Sequence, residues 1–438
     1  MLEMIPFHRP LIDESEITAV TECLRSGWLT TGQRAMEFEK KFAEYVGAPH
    51  AVACNSCTAA MHLALAAMGL GPGDEVITTP YTFVATCEAI QYIGAKPVFV
   101  DIDPKTLNMN PDLLKLALTA RTRAIVPVHF AGHPVDMAKV MAFARAHNLK
   151  VLEDAAHAIE AAITAPEPKI SDGGLRVSES IRMNNKPSAV PNPQSAIGKI
   201  GTISEATCFS FYATKNLTTA EGGMITCSDP DLAAHMRRLC LHGLSRDAWK
   251  RYTSAGSWYY EVLEQGYKYN LTDIAASIGL AQLAKLEKMW HRREEIASYY
   301  NEAFAAMPEL EIPTVRPNVR HGWHLYVLRL RLEKLAINRR KFFEEMRERG
   351  VNCSVHFIPL HLMPYYRKTY GLRPGDFPEA ERQFERVISL PLYPALTDRE
   401  IERVIEAVKQ IVAENLRPVR TISPSASPAY ETRQTAFV

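Results

Sequence analysis

The sequence predicts an α/β fold, a large domain with a mostly parallel sheet followed by a smaller C-terminal α/β domain. Three observations predict it. Short apolar runs alternate with helical patterns from about Ile12 to Leu152, Gly and Pro mark the joints, and the alternation returns over residues 322–415.

The first strands read as His50–Cys54, Glu75–Thr79, Pro97–Val100, Ala124–Val128 and Lys150–Leu152. Between them lie the helical patterns Thr58–Met68, Phe83–Ile93, Pro111–Leu118 and Val135–His147. Gly71-Pro72-Gly73-Asp74 and Gly94-Ala95-Lys96-Pro97 stop helices ahead of strands. Repeated β-α-β of this kind calls for a parallel sheet covered on both faces. Strands Ala206–Phe211 and Met224–Cys227 follow, then a helix over Asp231–Cys240 and one long amphipathic helix from Asp273 to Ala305 that bridges to the second unit. That unit comprises strand Trp323–Leu332, helix Arg339–Arg349, a His/Pro/Tyr-rich loop and helix Asp398–Ala413. The expected divisions are a large domain over 12–290, a small domain over 291–416 and a disordered tail over 417–438, rich in Ser, Pro, Thr and Ala. Residues 164–193, with five prolines and no steady period, interrupt the pattern. They read as an inserted surface loop or as a lid over the site.

Composition narrows the function. Hydrophobic residues at 47% and charged residues at 23% are ordinary globular values. A net charge of +1 gives no overall field favouring nucleic acid or an anionic membrane. There is no apolar run long enough for a membrane span, and the first residues do not read as a signal peptide. The eight scattered cysteines suit reduced thiols in a cytoplasmic protein. The expected partner is a small soluble molecule.

In open α/β sheets ligands bind beyond the carboxyl ends of the strands. There the sequence collects Asn55-Ser56-Cys57-Thr58, Tyr81-Thr82-Phe83, His129, Glu153-Asp154-Ala155-Ala156-His157, and Tyr212-Ala213-Thr214-Lys215-Asn216. Such a rim could cradle an anionic aromatic ligand. Ser56-Cys57-Thr58 leads into a helix, so it is either a phosphate-binding turn or an ordinary N-cap. Cys54-x-x-Cys57 lacks the second pair or His partner that a zinc site needs. Glu153-Asp154 at the end of a buried strand is either a structural ion pair or functional, because an unpaired buried carboxylate is costly. Lys215 is a surface lysine or, in a closed site, a desolvated nucleophile able to form a Schiff base. A G-x-x-x-x-G-K-S/T phosphate loop, G-x-G-x-x-G after the first strand, H-E-x-x-H and G-x-S-x-G are all absent.

Taken in order, these stretches resemble the DegT/StrS sugar aminotransferases, pyridoxal-phosphate (PLP) enzymes of the aspartate-aminotransferase-like fold type I. The likeness covers about residues 5–416 outside the insertion and is carried by Gly27-Trp28-Leu29-Thr30-Thr31-Gly32, Asn55-Ser56-Cys57-Thr58-Ala59-Ala60, Gly73-Asp74-Glu75-Val76-Ile77 and Thr82-Phe83-Val84-Ala85-Thr86. Pro127-Val128-His129, Glu153-Asp154-Ala155-Ala156-His157-Ala158, Phe209-Ser210-Phe211, Lys215-Asn216, Glu221-Gly222-Gly223 and Tyr267-Lys268-Tyr269-Asn270 complete the set.

The resemblance implies that Lys215 is the catalytic lysine, holding the cofactor as a Schiff base and moving the proton. It implies Asp154 against the pyridinium nitrogen, Phe83 stacked on the ring and His157 near the ring hydroxyl. The phosphate falls to Ser56, Cys57, Thr58 and Ser210, and Asn270 reaches the phosphate of a neighbouring subunit, which implies a homodimer with shared sites. No metal is implied. Cys57 stands where the family often has Gly or Ala, and would be strained if that position needed φ > 0. Family members that dehydrate sugars carry histidine at the lysine position, so Lys215 implies transamination. The implied substrates are a nucleotide-linked 4-keto-sugar and L-glutamate/2-oxoglutarate, in cell-surface polysaccharide, lipopolysaccharide or amino-sugar biosynthesis. His242-Gly243-Leu244, Gly266 to Asp273, His356-Phe357 and Ser389-Leu390-Pro391-Leu392 look most like the aminotransferases that make UDP-4-amino-4-deoxy-L-arabinose for lipid A. Arg251, His324 and Arg329 are candidates for the donor carboxylate. A PLP lyase or desulfurase acting on amino acids, and a PLP-binding regulator without turnover, are the competing readings.

Overall fold

The computed structural model describes residues 3–164, 196–245 and 259–417. The rest of the expected insertion, Arg251 and the tail beyond Arg417 lie outside the described residues.

The chain opens with two helices that the periodicity reading did not assign, α1 (Glu14–Ser26) and α2 (Gln33–Val46). α1 starts on a capping box in which Asp13 accepts from Ser15 N and Glu16 accepts from Asp13 N. The alternating core follows: β1 (His50–Cys54), α3 (Cys57–Ala67), β2 (Glu75–Thr78), α4 (Val84–Tyr92), β3 (Lys96–Phe99), α5 (Leu114–Ala117), β4 (Thr122–Ile125), α6 (Met137–Ala146) and β5 (Lys150–Asp154). Next come β6 (Ala162–Thr164), β7 (Ala196–Lys199), β8 (Ala206–Ser210), β9 (Gly223–Cys227) and α7 (Pro230–Cys240). The main sheet has seven strands in the order β1-β9-β8-β5-β4-β2-β3, and β9 runs antiparallel to both its neighbours. Its link from β8 contains turns and no helix, and a parallel crossover needs more chain than that.

Both faces of the sheet are covered. α3 is apolar nearly all round because it lies between the sheet and α4 and α7, with Met61, Leu63, Ala64 and Leu65 packed against Val52, Leu152 and Cys208. On the other face Phe38 and Phe42 of α2 meet Phe211 and Phe209 at 5.2 and 5.1 Å between ring centroids. All four rings are fully buried, each contributing about 1.5–3 kcal/mol from burial, so Phe42→Ala would cost about 3–5 kcal/mol.

The long helix expected over 273–305 is two, α8 (Asp273–Ala284) and α9 (Leu286–Phe304), broken at Lys285. α8 packs across α1 and α2, and Lys285 Nζ bonds Asp13 and Glu16 at that corner. α9 contributes Leu286 and Met289 to the first core, and Ile296, Tyr300 and Phe304 to a second. The expected boundary at 290/291 therefore falls inside one helix. The later elements are β10 (Leu310–Glu311), β11 (Val319–Arg320), β12 (Tyr326–Leu330), α10 (Arg339–Glu348), α11 (Pro364–Tyr370), α12 (Pro378–Phe384), β13 (Val387–Leu390) and α13 (Asp398–Glu414), of which β10, β12 and β13 form a three-stranded sheet and, with α10 and α13, supply the second core. β6 and β7, which flank the insertion, pair antiparallel, with Thr164 opposite Ala196.

Candidate active site

A cavity of about 540 Å³ opens beyond the carboxyl ends of the strands, and Ser56, Cys57, Thr58, Phe83, Asp154, His157, Ser210 and Lys215 all line it. Asn270 lies outside it. Its Nδ2 donates 2.7 Å to Thr31 Oγ1 and its Oδ1 accepts from Lys268 Nζ.

Strand alternation sorts the two acids at the end of β5. Glu153 faces away from the cavity and is fully buried, with Oε2 2.9 Å from His129 Nε2 and Oε1 accepting from Ser204 and Thr207. It is the structural member, and it takes His129, expected on the rim, with it. Asp154 faces the cavity. Thr86 Oγ1 donates 2.7 Å to its Oδ2, Ala156 N donates to Oδ1, and Thr82 Oγ1 lies 2.8 Å from Thr86 Oγ1. Thr82, just ahead of α4, and Thr86, in its first turn, are a buried brace for the carboxylate.

Ser56 caps α3, accepting from Ala59 N at 3.1 Å. The cap and the anion-binding reading hold together, because a first turn leaves the N–H groups of Cys57 and Thr58 without intrahelical partners and at the positive end of the dipole. Cys57 is the first helical residue and has no positive φ, so the cysteine is unstrained there. Gly223 lets β9 reach this turn: a Cβ on it would meet Ser56 C and O at 2.5 Å and Cys57 N at 2.7 Å.

Lys215 sits in the turn after β8, its N–H bonded to Tyr212 O. Burial pulls its amine down to about 8, while Cys57 and Asp154 pull the other way. Burial and Lys215 hold the His157 imidazole well below its ordinary range, and its Nδ1 accepts from Ala131 N. Phe83 leaves 59% of its surface exposed, a bare aromatic face at the mouth.

Strand ends alone do not bring the rest of the lining to the rim. Phe7 and His8 arrive from the N-terminal strap, and His324, His356 and Phe357 arrive from the second unit, none with a local signal. Of the donor-carboxylate candidates, Arg329 is spent elsewhere: its guanidinium bonds Pro104 O, Ile312 O and Glu311 and does not line the cavity. His324 does line it.

These residues fit pyridoxal phosphate. A lysine with a lowered pKa, a braced carboxylate, a helix N-terminus with open N–H groups and an uncovered aromatic ring are the donors and surfaces that its aldehyde, pyridine nitrogen, phosphate and ring require. No group of side chains among the described residues could hold a metal ion.

The sequence signature of the DegT/DnrJ/EryC1/StrS aminotransferase family matches residues 10–409. The spore coat polysaccharide biosynthesis protein SpsC of Bacillus subtilis is 49% identical over 409 residues, 93% of this chain and 97% of that protein. The putative sugar aminotransferase Spr1654 of Streptococcus pneumoniae, solved in its PLP form, superposes with a TM-score of 0.80 at 32% identity, over 94% of this chain and 99% of the other. Helicobacter pylori PseC, an aminotransferase of pseudoaminic acid biosynthesis, gives 0.80 at 27% identity, over 94% and 100%. The chain belongs to the DegT/DnrJ/EryC1/StrS family and is a pyridoxal-phosphate-dependent sugar aminotransferase.

Proposed function

We propose that this enzyme moves an amino group from L-glutamate to a nucleotide-linked 4-keto-sugar, as a cytoplasmic homodimer with shared active sites, in the making of a surface polysaccharide or amino sugar. The observation that carries the reading is the Lys215 amine, lowered to about 8 by burial, in one cavity with the carboxylate of Asp154.

Bound pyridoxal phosphate supplies an electron sink for the carbon–hydrogen bond that must break. In this reading the Lys215 amine holds the cofactor and, once released, takes the proton from one carbon and returns it to another. Asp154, oriented by donors on both oxygens, holds a proton on the pyridine nitrogen. The Cys57 and Thr58 N–H groups, with the Ser56 and Ser210 hydroxyls beside them, bind the phosphate, Phe83 covers one face of the ring, and His157 donates to the ring oxygen. The cavity is of a size that takes a sugar beside the cofactor. Similarity to a polysaccharide biosynthesis protein and to an enzyme of amino-sugar biosynthesis supports the substrate class.

Support for the dimer is a run of exposed apolar residues, Ile17, Leu24, Leu29 and Met36, close in sequence to Thr31, the hydrogen-bond partner of Asn270. Asn270 is then the residue each copy lends to the other's phosphate. No helix among the described residues is long and apolar enough to cross a membrane.

Half-reaction spectroscopy tests the proposal. L-glutamate should convert the PLP-loaded protein to its amine form, and a nucleotide 4-keto-sugar, UDP- or dTDP-linked, should restore the aldehyde form. A loaded protein that ignores glutamate, or an amine form discharged by simple 2-keto acids but by none of these sugars, would refute it.

A further inference from the structure

Behind Lys215 lies a buried polar chain that the roles above do not use. Asn216 is 5% exposed. Its Nδ2 donates 2.8 Å to Glu160 Oε2 and 2.7 Å to Gly322 O, and its Oδ1 lies 3.1 Å from His324 Nδ1. Two acceptors on one nitrogen fix the amide's orientation, since a flipped amide would set oxygen against oxygen twice. Oδ1 has only lone pairs, so His324 Nδ1 carries the proton. Glu160 has an oxygen to accept with in either protonation state, so the lock does not depend on its charge.

His324 is thereby left with one lone pair, on Nε2, and that nitrogen has no partner among the described residues. Its ring lies 4.3 Å from that of His157, tilted by 35°; His157 Nδ1 accepts from Ala131 N, so its proton is on Nε2. Two touching imidazoles present opposite polarity to the cavity, a donor on His157 and an acceptor on His324. Burial, His157, Lys215 and Arg293 hold His324 neutral, and that same cationic setting disfavours an ammonium as its partner. A carboxylate brings no proton to a bare lone pair. A neutral hydroxyl does.

We propose that Glu160 and Asn216 are positioning residues that lock His324 as the Nδ1–H tautomer, so that its Nε2 accepts a hydrogen bond from a hydroxyl of the sugar. This removes His324 from the candidates for the donor carboxylate, and the hydroxyl half rests on the sugar substrate proposed above.

The tautomer is read directly from ring-nitrogen NMR of ¹⁵N-histidine-labelled, PLP-loaded protein, with His324 assigned by its loss in His324→Phe. The expected spectrum shows a protonated Nδ1 and a bare Nε2. Asn216→Ala shifts the signal to a mixed or Nε2–H form, whereas Glu160→Gln, which keeps an acceptor oxygen, retains the wild-type signal. A wild-type Nε2–H signal, or a folded Asn216→Ala that keeps Nδ1–H, overturns the lock. This measurement needs no substrate, so its outcome is independent of the sugar assignment. Should Asn216→Ala not fold, the wild-type spectrum still decides. With UDP-4-amino-4-deoxy-L-arabinose as the amine donor probe, His324→Phe, which keeps a ring for His157, raises the sugar KM about tenfold, the worth of one net hydrogen bond. An equal or larger rise in the KM for 2-oxoglutarate overturns the hydroxyl assignment.

Discussion

Asp154→Asn separates two effects of one carboxylate that act in opposite directions. In the protein without cofactor, Asp154 helps to hold the Lys215 amine up against burial, the net result being about 8. With that value about one amine in eleven is neutral at pH 7, against about one in three thousand for an unshifted lysine. Cofactor capture requires the neutral amine, so in the wild type its rate should climb with pH and level off above about 8. Removing the charge lowers the amine further. The variant should therefore capture PLP faster at pH 7, by at most about elevenfold, where every amine is neutral, and its plateau should begin at lower pH. The substitution is tolerated structurally: an amide nitrogen in the place of Oδ2 can donate to Thr86 Oγ1, which then donates to Thr82 Oγ1. Turnover should move the other way. Losing an opposite charge costs the ring nitrogen about 1–3 pKa units, hence about ten- to a thousandfold of its protonated form and of the rate. Stopped-flow absorbance of the lysine-bound cofactor gives the first quantity and steady-state transamination the second. Slower capture than wild type at pH 7, or a wild-type kcat, would refute the reasoning.

Lys215→Ala should bind PLP without the visible absorbance of a lysine-bound cofactor and should lose turnover entirely; a coloured, active variant would move the chemistry to another amine. In Gly223→Ala the new methyl must displace backbone of Ser56 and Cys57, so the expected result is about 1–3 kcal/mol lost from stability and a PLP dissociation constant raised about tenfold or more, measured by denaturation and cofactor titration. Replacing residues 165–195 by a two-residue turn should leave a folded, cofactor-binding protein with a Tm within a few degrees of the wild type, because Thr164 and Ala196 already sit opposite each other in an antiparallel pair; an unfolded product would make the insertion structural.

What could be read from the sequence was whatever is local to a strand and the turn after it. Ser56, Phe83, Asp154, His157 and Lys215 each follow directly on an apolar run, so identifying the strands brought them to one rim. Three kinds of fact escaped that logic. Strand direction was one: Gly223–Cys227 is apolar throughout and reads the same either way, and only its short helix-free approach from Phe211 marks it as antiparallel. A helix start was another, since α1 is marked by Asp13 followed three residues later by Glu16 and not by apolar periodicity. The third was never in the local pattern. His8, His324 and His356 reach the cavity from strap and second unit, and for the first two the proton's place is set by remote acceptors, Ala213 O and Asn216 Oδ1. Adjacency adds a further lesson at Glu153-Asp154 and Lys215-Asn216. In each pair one residue serves the cavity directly and its neighbour faces buried polar partners, so the chemistry of the pair is divided by the direction of the backbone and not by residue type. A sequence names both members. Only the fold assigns which one meets the ligand.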